Sequence, residues 1–163
     1  MGQAREVLDG ITAALLSGDR AGLERLYAPD AVVEAPDVAR IEGAAAIADY
    51  HLALHRAFPD AGFEFRSAIE VGDIAIDEGW FTGTHTDVLS TPAGDIPATG
   101  RTVRARAFDI AEVADGRCVA HRFYYDQLDF MEQLGLAEPA ADSAPVPQPR
   151  AAAEEAAVQP TAG

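Results

Sequence analysis

The chain has 163 residues, enough for one compact domain, and it carries 27 acidic residues against 12 arginines and no lysine. The formal charge of −15 repels nucleic-acid phosphates and anionic lipid, so we expect no nucleic-acid partner and no membrane partner. The single cysteine, Cys118, excludes an internal disulfide, and no apolar run has the length of a membrane span or the pattern of a signal peptide, which predicts a cytoplasmic protein.

Three helices are predicted in the first part of the chain. The first has an apolar stripe at helical spacing, and Gly18 can end it. Asp19 can cap a second helix, which stops near Pro29. A third helix is expected across residues 43–60, with Pro59 at its end. The residues of the two apolar stripes are Val7, Leu8, Ile11 and Leu15 in the first helix, and Ile47, Tyr50, Leu54 and Phe58 in the third.

Beyond the helices, apolar and polar residues alternate with period two, which predicts β-strands. We expect a short strand at AVVEAP and four long strands, at residues 63–71, 74–89, 102–113 and 117–126. In the first long strand, alternation places Phe63, Phe65, Ile69 and Val71 on one face.

Connections between these strands are also predicted. The Asp115–Gly116 pair indicates a hairpin turn between the last two strands, and residues 95–100 are expected to be a loop. Gly79 and Gly83 suggest bends or bulges in the second long strand.

Helices followed by an antiparallel meander indicate an α+β domain, with a final short helix predicted from Gln127 to Leu134. A strongly curved sheet wrapped around the helices would enclose a pocket. We place the domain at residues 3–137. Residues 138–163 are rich in Ala, Pro and Glu and have no aromatic residue, so we expect a disordered tail.

The ordered segments together resemble the SnoaL-like polyketide cyclase family, within the superfamily similar to nuclear transport factor 2 (NTF2). The resemblance spans residues 14–136 and is carried, in order, by SGDRAGLERLYAPDAVVEAP, GAAAIADYHLALHRAFPD, WFTGTHTD, PATGRTVRARAFDIAEVADGR and YYDQLDFMEQLG. It implies an NTF2-like cone, with N-terminal helices packed on a strongly curved mixed or antiparallel β-sheet. It also implies a homodimer, a deep apolar pocket without metal or organic cofactor, and an acid/base residue at the end of the last strand, where Asp126 stands here.

Asp126 follows the aromatic run Phe123–Tyr125, and two interpretations are open. A carboxylate held in an apolar pocket has a raised pKa and is a stronger base near neutral pH. Tyr124 and its aromatic neighbours would then exclude water. However, Asp is also a favoured N-cap residue, so Asp126 can instead begin the final helix.

Three further residues are candidates for acid/base or carbonyl-polarising roles. Asp109 interrupts an otherwise apolar strand face, so it is either paired with an arginine or faces a cavity. His121 alternates with apolar residues and can donate to an oxyanion or serve as a satisfied core histidine. His85, in WFTGTHTD, has the same two possibilities.

Aromatic residues are the candidate substrate contacts, and two histidines raise the question of a metal. Trp80, Tyr50, Phe58 and Tyr124 are expected to form pocket wall, although Trp80, Tyr50 and Phe58 also suit a core. His51 and His55 stand four apart on a helix, a spacing that can hold a metal, but no third ligand is near, so we predict no metal.

The leading hypothesis is a cofactor-independent cyclase or isomerase that closes a ring of a small, apolar, polyketide-like or polycyclic molecule by an aldol reaction. Asp126 would be general base and then acid, with His121, His85 or Asp109 polarising the carbonyl. Three alternatives remain: an epoxide hydrolase using Asp126 with Asp109, a cofactor-free oxygenase, or a non-catalytic small-molecule-binding module. An acid inside the pocket would favour an enzyme over a binding module.

Overall fold

Four helices and eight strands follow one another in the computed structural model, which describes residues 2–91 and 94–137. The helices are α1 (Gln3–Ser17), α2 (Arg20–Leu26), α3 (Ala44–Ala57) and α4 (Gln127–Gln133). The strands are β1 (Tyr27–Ala35), β2 (Val38–Glu42), β3 (Gly62–Val71), β4 (Ile74–Thr84), β5 (Leu89–Thr91), β6 (Gly94–Ile96), β7 (Thr102–Ala114) and β8 (Arg117–Tyr125). The predicted tail, residues 138–163, lies outside the described residues.

Local capping residues place the boundary between the first two helices. Gly18 ends α1 with φ of 67°, a left-handed conformation that glycine adopts at little cost. Asp19 then begins α2, and its side chain accepts a hydrogen bond from the Gly22 backbone N–H at 2.9 Å. Both predicted caps are therefore confirmed.

Six strands form one mixed sheet in the order β2-β1-β8-β7-β4-β3, and β5 pairs with β6 in a separate hairpin. The β1–β8 pair is parallel, and the other pairs in the large sheet are antiparallel. The parallel pairing places Val33 beside His121, so the early strand β1 contributes to the same surface as the last strand. The expected α+β architecture is confirmed, but the pattern did not predict β2 or the β5–β6 hairpin. The strand predicted at residues 74–89 ends at Thr84, and the loop predicted at residues 95–100 begins inside β6.

A bulge at Arg66 divides β3 into two halves. Odd-numbered side chains before the bulge and odd-numbered side chains after it lie on opposite faces of the sheet. Phe65 pairs with Gly79, but Ser67 already pairs with Glu78, so one extra residue lies on β3. The prediction that Ile69 and Val71 share a face with Phe63 and Phe65 is therefore wrong. A side chain at position 79 would lie 2.1 Å from the Glu64 carbonyl oxygen, so this close approach requires glycine.

The helices cover one face of the curved sheet, and two apolar clusters fill the space between them. One cluster joins α1, α2 and α3 to β1, β7 and β8, with Leu8, Leu23 and Ile47 fully buried. The other surrounds Phe58 and Phe81 and includes residues of α4. Burying each large apolar side chain contributes about 1.5–3 kcal/mol.

The opposite sheet face carries apolar side chains open to solvent. They include Ile69, Val71, Ile74, Phe108 and Tyr124. The homodimer stays a prediction, because one chain is described. Within residues 2–91 and 94–137, no helix combines the length and apolar character needed to cross a membrane.

Candidate active site

Asp109 lies on the helix-covered face of β7, in a row of small apolar residues. Ala105, Ala107 and Ala111 on the same face are buried, whereas the Asp109 side chain keeps 15% of its surface exposed. Alanine methyl groups fill little volume, so this part of the sheet leaves space in front of the carboxylate. The second of the two predicted possibilities for Asp109, a position facing a cavity, is the one observed.

His121 is the direct partner of Asp109. In the β7–β8 register, His121 pairs with Ala111 and Phe123 pairs with Asp109, so the imidazole is a diagonal neighbour of the carboxylate on one face. Its Nε2 is hydrogen-bonded to Asp109 Oδ1, and its side chain is 3% exposed. The alternative that an arginine pairs with Asp109 is not observed in the described residues.

Tyr27 and His51 extend this pair into a buried chain of four groups. The Tyr27 hydroxyl lies 2.5 Å from His121 Nδ1 and 2.9 Å from His51 Nε2. In the tautomer that carries the His121 proton on Nε2, beside the Asp109 carboxylate, Nδ1 accepts from the Tyr27 hydroxyl. Tyr27 then accepts from His51 Nε2–H, which leaves a lone pair on His51 Nδ1.

Burial keeps Tyr27 and His51 uncharged near neutral pH. Desolvation, with a smaller contribution from His121, lowers the pKa of His51 to about 3. Burial also raises the pKa of Tyr27 well above its ordinary value. Tyr27 and His51 therefore add no charge of their own beside the hydrogen-bonded pair of Asp109 and His121.

A second acid, Asp77, lies directly across the β4–β7 ladder from Asp109. Its two carboxylate oxygens accept hydrogen bonds from Arg5 of α1 at 2.6 and 2.7 Å, and both side chains are nearly buried. The guanidinium balances the charge of Asp77, so Asp109 lies beside a compensated pair. Sequence reasoning missed Asp77, although its alternation with Ala75 and Phe81 already placed it on the inner face.

A narrow apolar cavity lies in front of Asp109. Together with its open mouth it encloses about 420 Å³ of empty space between α1, α3 and the sheet. Its polar lining residues are Asp109, His121, His51, Tyr50 and Thr12. A second cavity of about 400 Å³ adjoins it and shares the walls Tyr50, Leu54 and Phe123. The two spaces together form one narrow, mainly apolar cleft.

Asp37 marks the outer end of this cleft. The carboxylate lies in the β1–β2 turn and accepts a hydrogen bond from the Tyr50 hydroxyl at 3.1 Å. Burial first, and then the nearby Asp37, raise the pKa of Tyr125. Sequence reasoning missed Asp37, because a turn aspartate ordinarily indicates only a turn.

Similarity to known proteins agrees with this architecture. The SnoaL-like domain family matches residues 8–121, which is more than half of the chain. This chain belongs to that family. No curated protein has significant sequence similarity to it.

Solved structures with the same fold include three informative relatives of this SnoaL-like chain. A candidate SnoaL-like polyketide cyclase from Jannaschia sp. CCS1 is 18% identical, with coverage of 84% of this chain and 94% of that one and a TM-score of 0.72. IdmH, a candidate polyketide cyclase from Streptomyces antibioticus, is 25% identical, with coverage of 82% and 99% and a TM-score of 0.67. An LEH-like epoxide hydrolase from M. tuberculosis is 21% identical, with coverage of 81% and 89% and a TM-score of 0.60. The predicted NTF2-like fold is thereby confirmed.

Asp126 is exposed at the surface of this SnoaL-like domain, outside the cleft. Its side chain accepts a hydrogen bond from the Asp129 backbone N–H at 3.0 Å, which makes it the N-cap of α4. The prediction that its carboxylate faces into an apolar pocket is wrong. The physical reason is that the strand ends at Tyr125, and the chain turns outward to satisfy the free N–H groups of the new helix.

His85 and Phe58 lie in the core beside the cleft. His85 is fully buried, its ring stacks on Phe58 with centroids 5.1 Å apart, and the Thr99 backbone N–H donates to its Nδ1 at 3.3 Å. Burial lowers the pKa of His85. Neither residue borders the cavity that contains Asp109.

The other three aromatic candidates, Tyr50, Trp80 and Tyr124, lie in different environments. Tyr50 borders both cavities, as predicted for a wall residue. Trp80 lies on the opposite sheet face, where the Arg104 guanidinium is 4.1 Å from its ring centroid, although it also borders a smaller gap of about 230 Å³ near Asp109. Tyr124 points away from the cleft and is 48% exposed.

His51 and His55, the paired histidines of α3, are not joined by a third metal-ligating side chain among the described residues. Within residues 2–91 and 94–137, no three His, Cys, Asp or Glu side chains come together in a metal-binding arrangement. His51 instead belongs to the hydrogen-bonded chain of Asp109.

Proposed function

We propose that this protein is a cofactor-independent enzyme that performs acid/base chemistry on a small, largely apolar, polyketide-like molecule, with Asp109 as the base. The observation that carries the proposal is a carboxylate on an apolar cavity wall, held by a buried histidine. Asp109 takes the role that the family resemblance implied for Asp126. Membership of the SnoaL-like family and likeness to candidate polyketide cyclases support the substrate class.

The hydrogen bond to His121 gives the two carboxylate oxygens of Asp109 different tasks. Oδ1 accepts from His121 Nε2–H, which fixes the orientation of the carboxyl group. We assign proton abstraction to Oδ2. Because Tyr27 holds the other ring nitrogen, the imidazole cannot rotate without breaking a buried hydrogen bond.

An aldol closure in this cleft needs two proton transfers, and one carboxyl group can perform both. Asp109 removes a proton from a carbon activated by neighbouring carbonyl groups. The resulting enolate carbon attacks a second carbonyl of the same molecule, a carbon–carbon bond forms, and the new alkoxide takes the proton back from Asp109. Acid/base catalysis of this kind contributes roughly 10²–10⁴-fold, and the cleft adds rate by holding the two ends of the substrate together.

The test is proton exchange, which needs no knowledge of the natural substrate. An apolar ketone whose α-protons exchange slowly in neutral water, such as 1-tetralone, is incubated with the protein in D₂O, and NMR follows loss of the α-proton signal. We expect Asp109→Asn to slow the enzymatic exchange by about 100-fold or more. Asp126→Asn makes the same chemical change outside the cleft and should leave the rate within about twofold, since Asp126 has no part in the transfer.

The opposite pattern would overturn the proposal. If Asp109→Asn retains the exchange rate while Asp126→Asn abolishes it, the acid at the end of β8 is the base after all. If the wild-type protein catalyses no exchange but binds the ketone, a non-catalytic binding module becomes the better account. Thermal unfolding of each variant shows whether a lost rate reflects a lost fold.

Epoxide opening by water is the second candidate. The observation that favours it is a second carboxylate, Asp37, along the same cleft as Asp109, where Tyr50 donates to it. Asp126, the partner suggested by the sequence, lies outside the cleft. The likeness to the LEH-like epoxide hydrolase shows a shared fold. Conversion of an apolar epoxide in H₂¹⁸O decides the matter: labelled diol supports epoxide opening, and no conversion leaves the cyclase proposal standing.

A further inference from the structure

His51 is a helix residue with an unusual hydrogen-bond balance. It stands one helical turn after the fully buried Ile47, so both residues face the sheet, and His51 is 6% exposed. Its Nε2 contacts the Tyr27 hydroxyl at 2.9 Å. Its Nδ1 is buried and has no hydrogen-bond partner among residues 2–91 and 94–137. One nitrogen of the ring is therefore engaged, and the other is free.

The chain from Asp109 determines what the free nitrogen can do. We assign His121 the tautomer with its proton on Nε2, facing the carboxylate, so that Nδ1 accepts from Tyr27 and Tyr27 accepts from His51. His51 consequently carries its proton on Nε2, and Nδ1 is an acceptor. A buried acceptor without a donor is unfavourable, and such atoms in proteins are usually satisfied by a ligand or an ordered water.

The free acceptor belongs to a residue that lines the reaction cavity. His51, His121 and Asp109 border the same space of about 420 Å³ between α1, α3 and the sheet. Its remaining walls are mainly apolar, so an uncharged donor is favoured there over an ammonium group, which would lose its hydration. A hydroxyl group on an apolar ring system fits both conditions.

We propose that His51 Nδ1 is a second anchor in this cavity and accepts a hydrogen bond from a hydroxyl group, phenol or enol, of the bound ligand. The inference rests on the proposed function, since it places the substrate of that function between Asp109 and His51. It narrows the substrate class to apolar ring systems that carry an uncharged hydroxyl donor. His51 is in this view a binding residue, and Asp109 remains the base.

Two matched ligands test the anchor: 2-naphthol, and 2-methoxynaphthalene, which lacks the donor. Titration calorimetry should give a preference of about two- to tenfold for the naphthol in the wild-type protein, as expected for one hydrogen bond. The His51→Gln variant can keep the bond to Tyr27, because its amide reaches the position of Nε2, and should lose the preference. The His51→Asn variant places its amide near the position of Nδ1 and should retain it.

Two further measurements distinguish the anchor from hydroxyl binding at Asp109 and from a loss of folding. If the preference disappears in Asp109→Leu but persists in His51→Gln, the hydroxyl binds the carboxylate and the proposed anchor is wrong. If His51 variants do not fold, ¹⁵N NMR of the histidine-labelled wild-type protein decides. Movement of the His51 Nδ1 resonance on adding naphthol, and not on adding the ether, supports the anchor, and no movement overturns it.

The outcome is independent of the exchange test for Asp109. Catalysis of proton exchange without a hydroxyl preference would remove the anchor and leave the proposed function. A hydroxyl preference that depends on His51, without any proton exchange, would leave the anchor and remove the proposed function. Failure of the wild-type protein to distinguish the naphthol from the ether overturns the anchor.

Discussion

Arg5→Met is expected to destabilise the protein by about 3–5 kcal/mol, the range found when one partner of a buried ion pair is removed. The Asp77 side chain is 6% exposed, and both its oxygens accept from Arg5, at 2.6 and 2.7 Å. Without the guanidinium, a charged carboxylate remains buried between the sheet and α1. The expected loss of unfolding free energy is therefore at the upper end of the range for single substitutions.

The reverse substitution, Asp77→Leu, should cost less, about 3 kcal/mol, at the lower end of the same range. Arg5 would keep a second acidic partner, because its Nε donates to Asp9 at 2.9 Å, and the Asp9 side chain is 49% exposed. The double variant Arg5→Met/Asp77→Leu removes both charges and fills similar volume. We expect it to lie within about 1 kcal/mol of the wild-type protein.

Urea unfolding followed by circular dichroism measures these free energies at about pH 7 and about pH 4. Burial raises the pKa of Asp77, whereas its hydrogen bond and charge contact with Arg5 lower it, so Arg5→Met should raise that pKa further. A carboxyl group whose pKa is higher in the folded than in the unfolded state stabilises the folded state at low pH. This contribution is lost as pH rises through the folded-state pKa. The deficit of Arg5→Met should therefore shrink at the lower pH.

Two results would refute this reasoning. One is a double variant whose cost equals the sum of the two single costs, because the charges would then not be coupled. The other is a deficit of Arg5→Met that does not change with pH, since a buried unpaired carboxylate must become less unfavourable when it is protonated.

Three further predictions concern Asp126, His51 and Cys118. Asp126→Ala should cost about 1 kcal/mol in urea unfolding by removing the cap of α4, and Asp126→Ser should recover most of it; equal losses in both variants would argue against capping. Burial lowers the pKa of His51 to about 3, so its ring-proton NMR shifts should stay constant from about pH 8 to about pH 5. The free energy of unfolding should fall as pH drops below about 6.5, because the unfolded state binds the proton first. A titration midpoint of the His51 ring near the ordinary histidine pKa would contradict this. Burial raises the pKa of the Cys118 thiol to about 12, so a disulfide reagent should label native protein only at the rate of opening or unfolding, and rapid labelling would show that Cys118 is accessible.

Local sequence chemistry accounts for much of the fold. The caps at Gly18 and Asp19, the three N-terminal helices and the long strands follow from helical spacing, period-two alternation and turn residues. The Asp115–Gly116 turn has positive φ at both residues, as the pair predicted. The strands β2, β5 and β6 were not predicted, because strands of three to five residues have too few alternating positions to be recognised from the sequence.

Asp126 shows where local pattern is ambiguous. An aspartate between an aromatic strand and a helix fits both a buried base and an N-cap. The choice depends on whether the strand end turns toward the cavity or toward solvent. The structure turns it toward solvent, where the carboxylate accepts from Asp129.

Sequence alone determined that Asp109 and His121 lie among apolar neighbours, because the side chains of a strand alternate between its two faces whatever else the chain does. Only the tertiary structure decided which residues are their hydrogen-bond partners. Tyr27 and His121 are separated by 94 positions, and Arg5 and Asp77 by 72, and these contacts exist because β1 pairs with β8 and α1 packs across β4. Periodicity reports the local direction of a side chain, whereas strand order and register, which local periodicity does not encode, determine which distant group it meets.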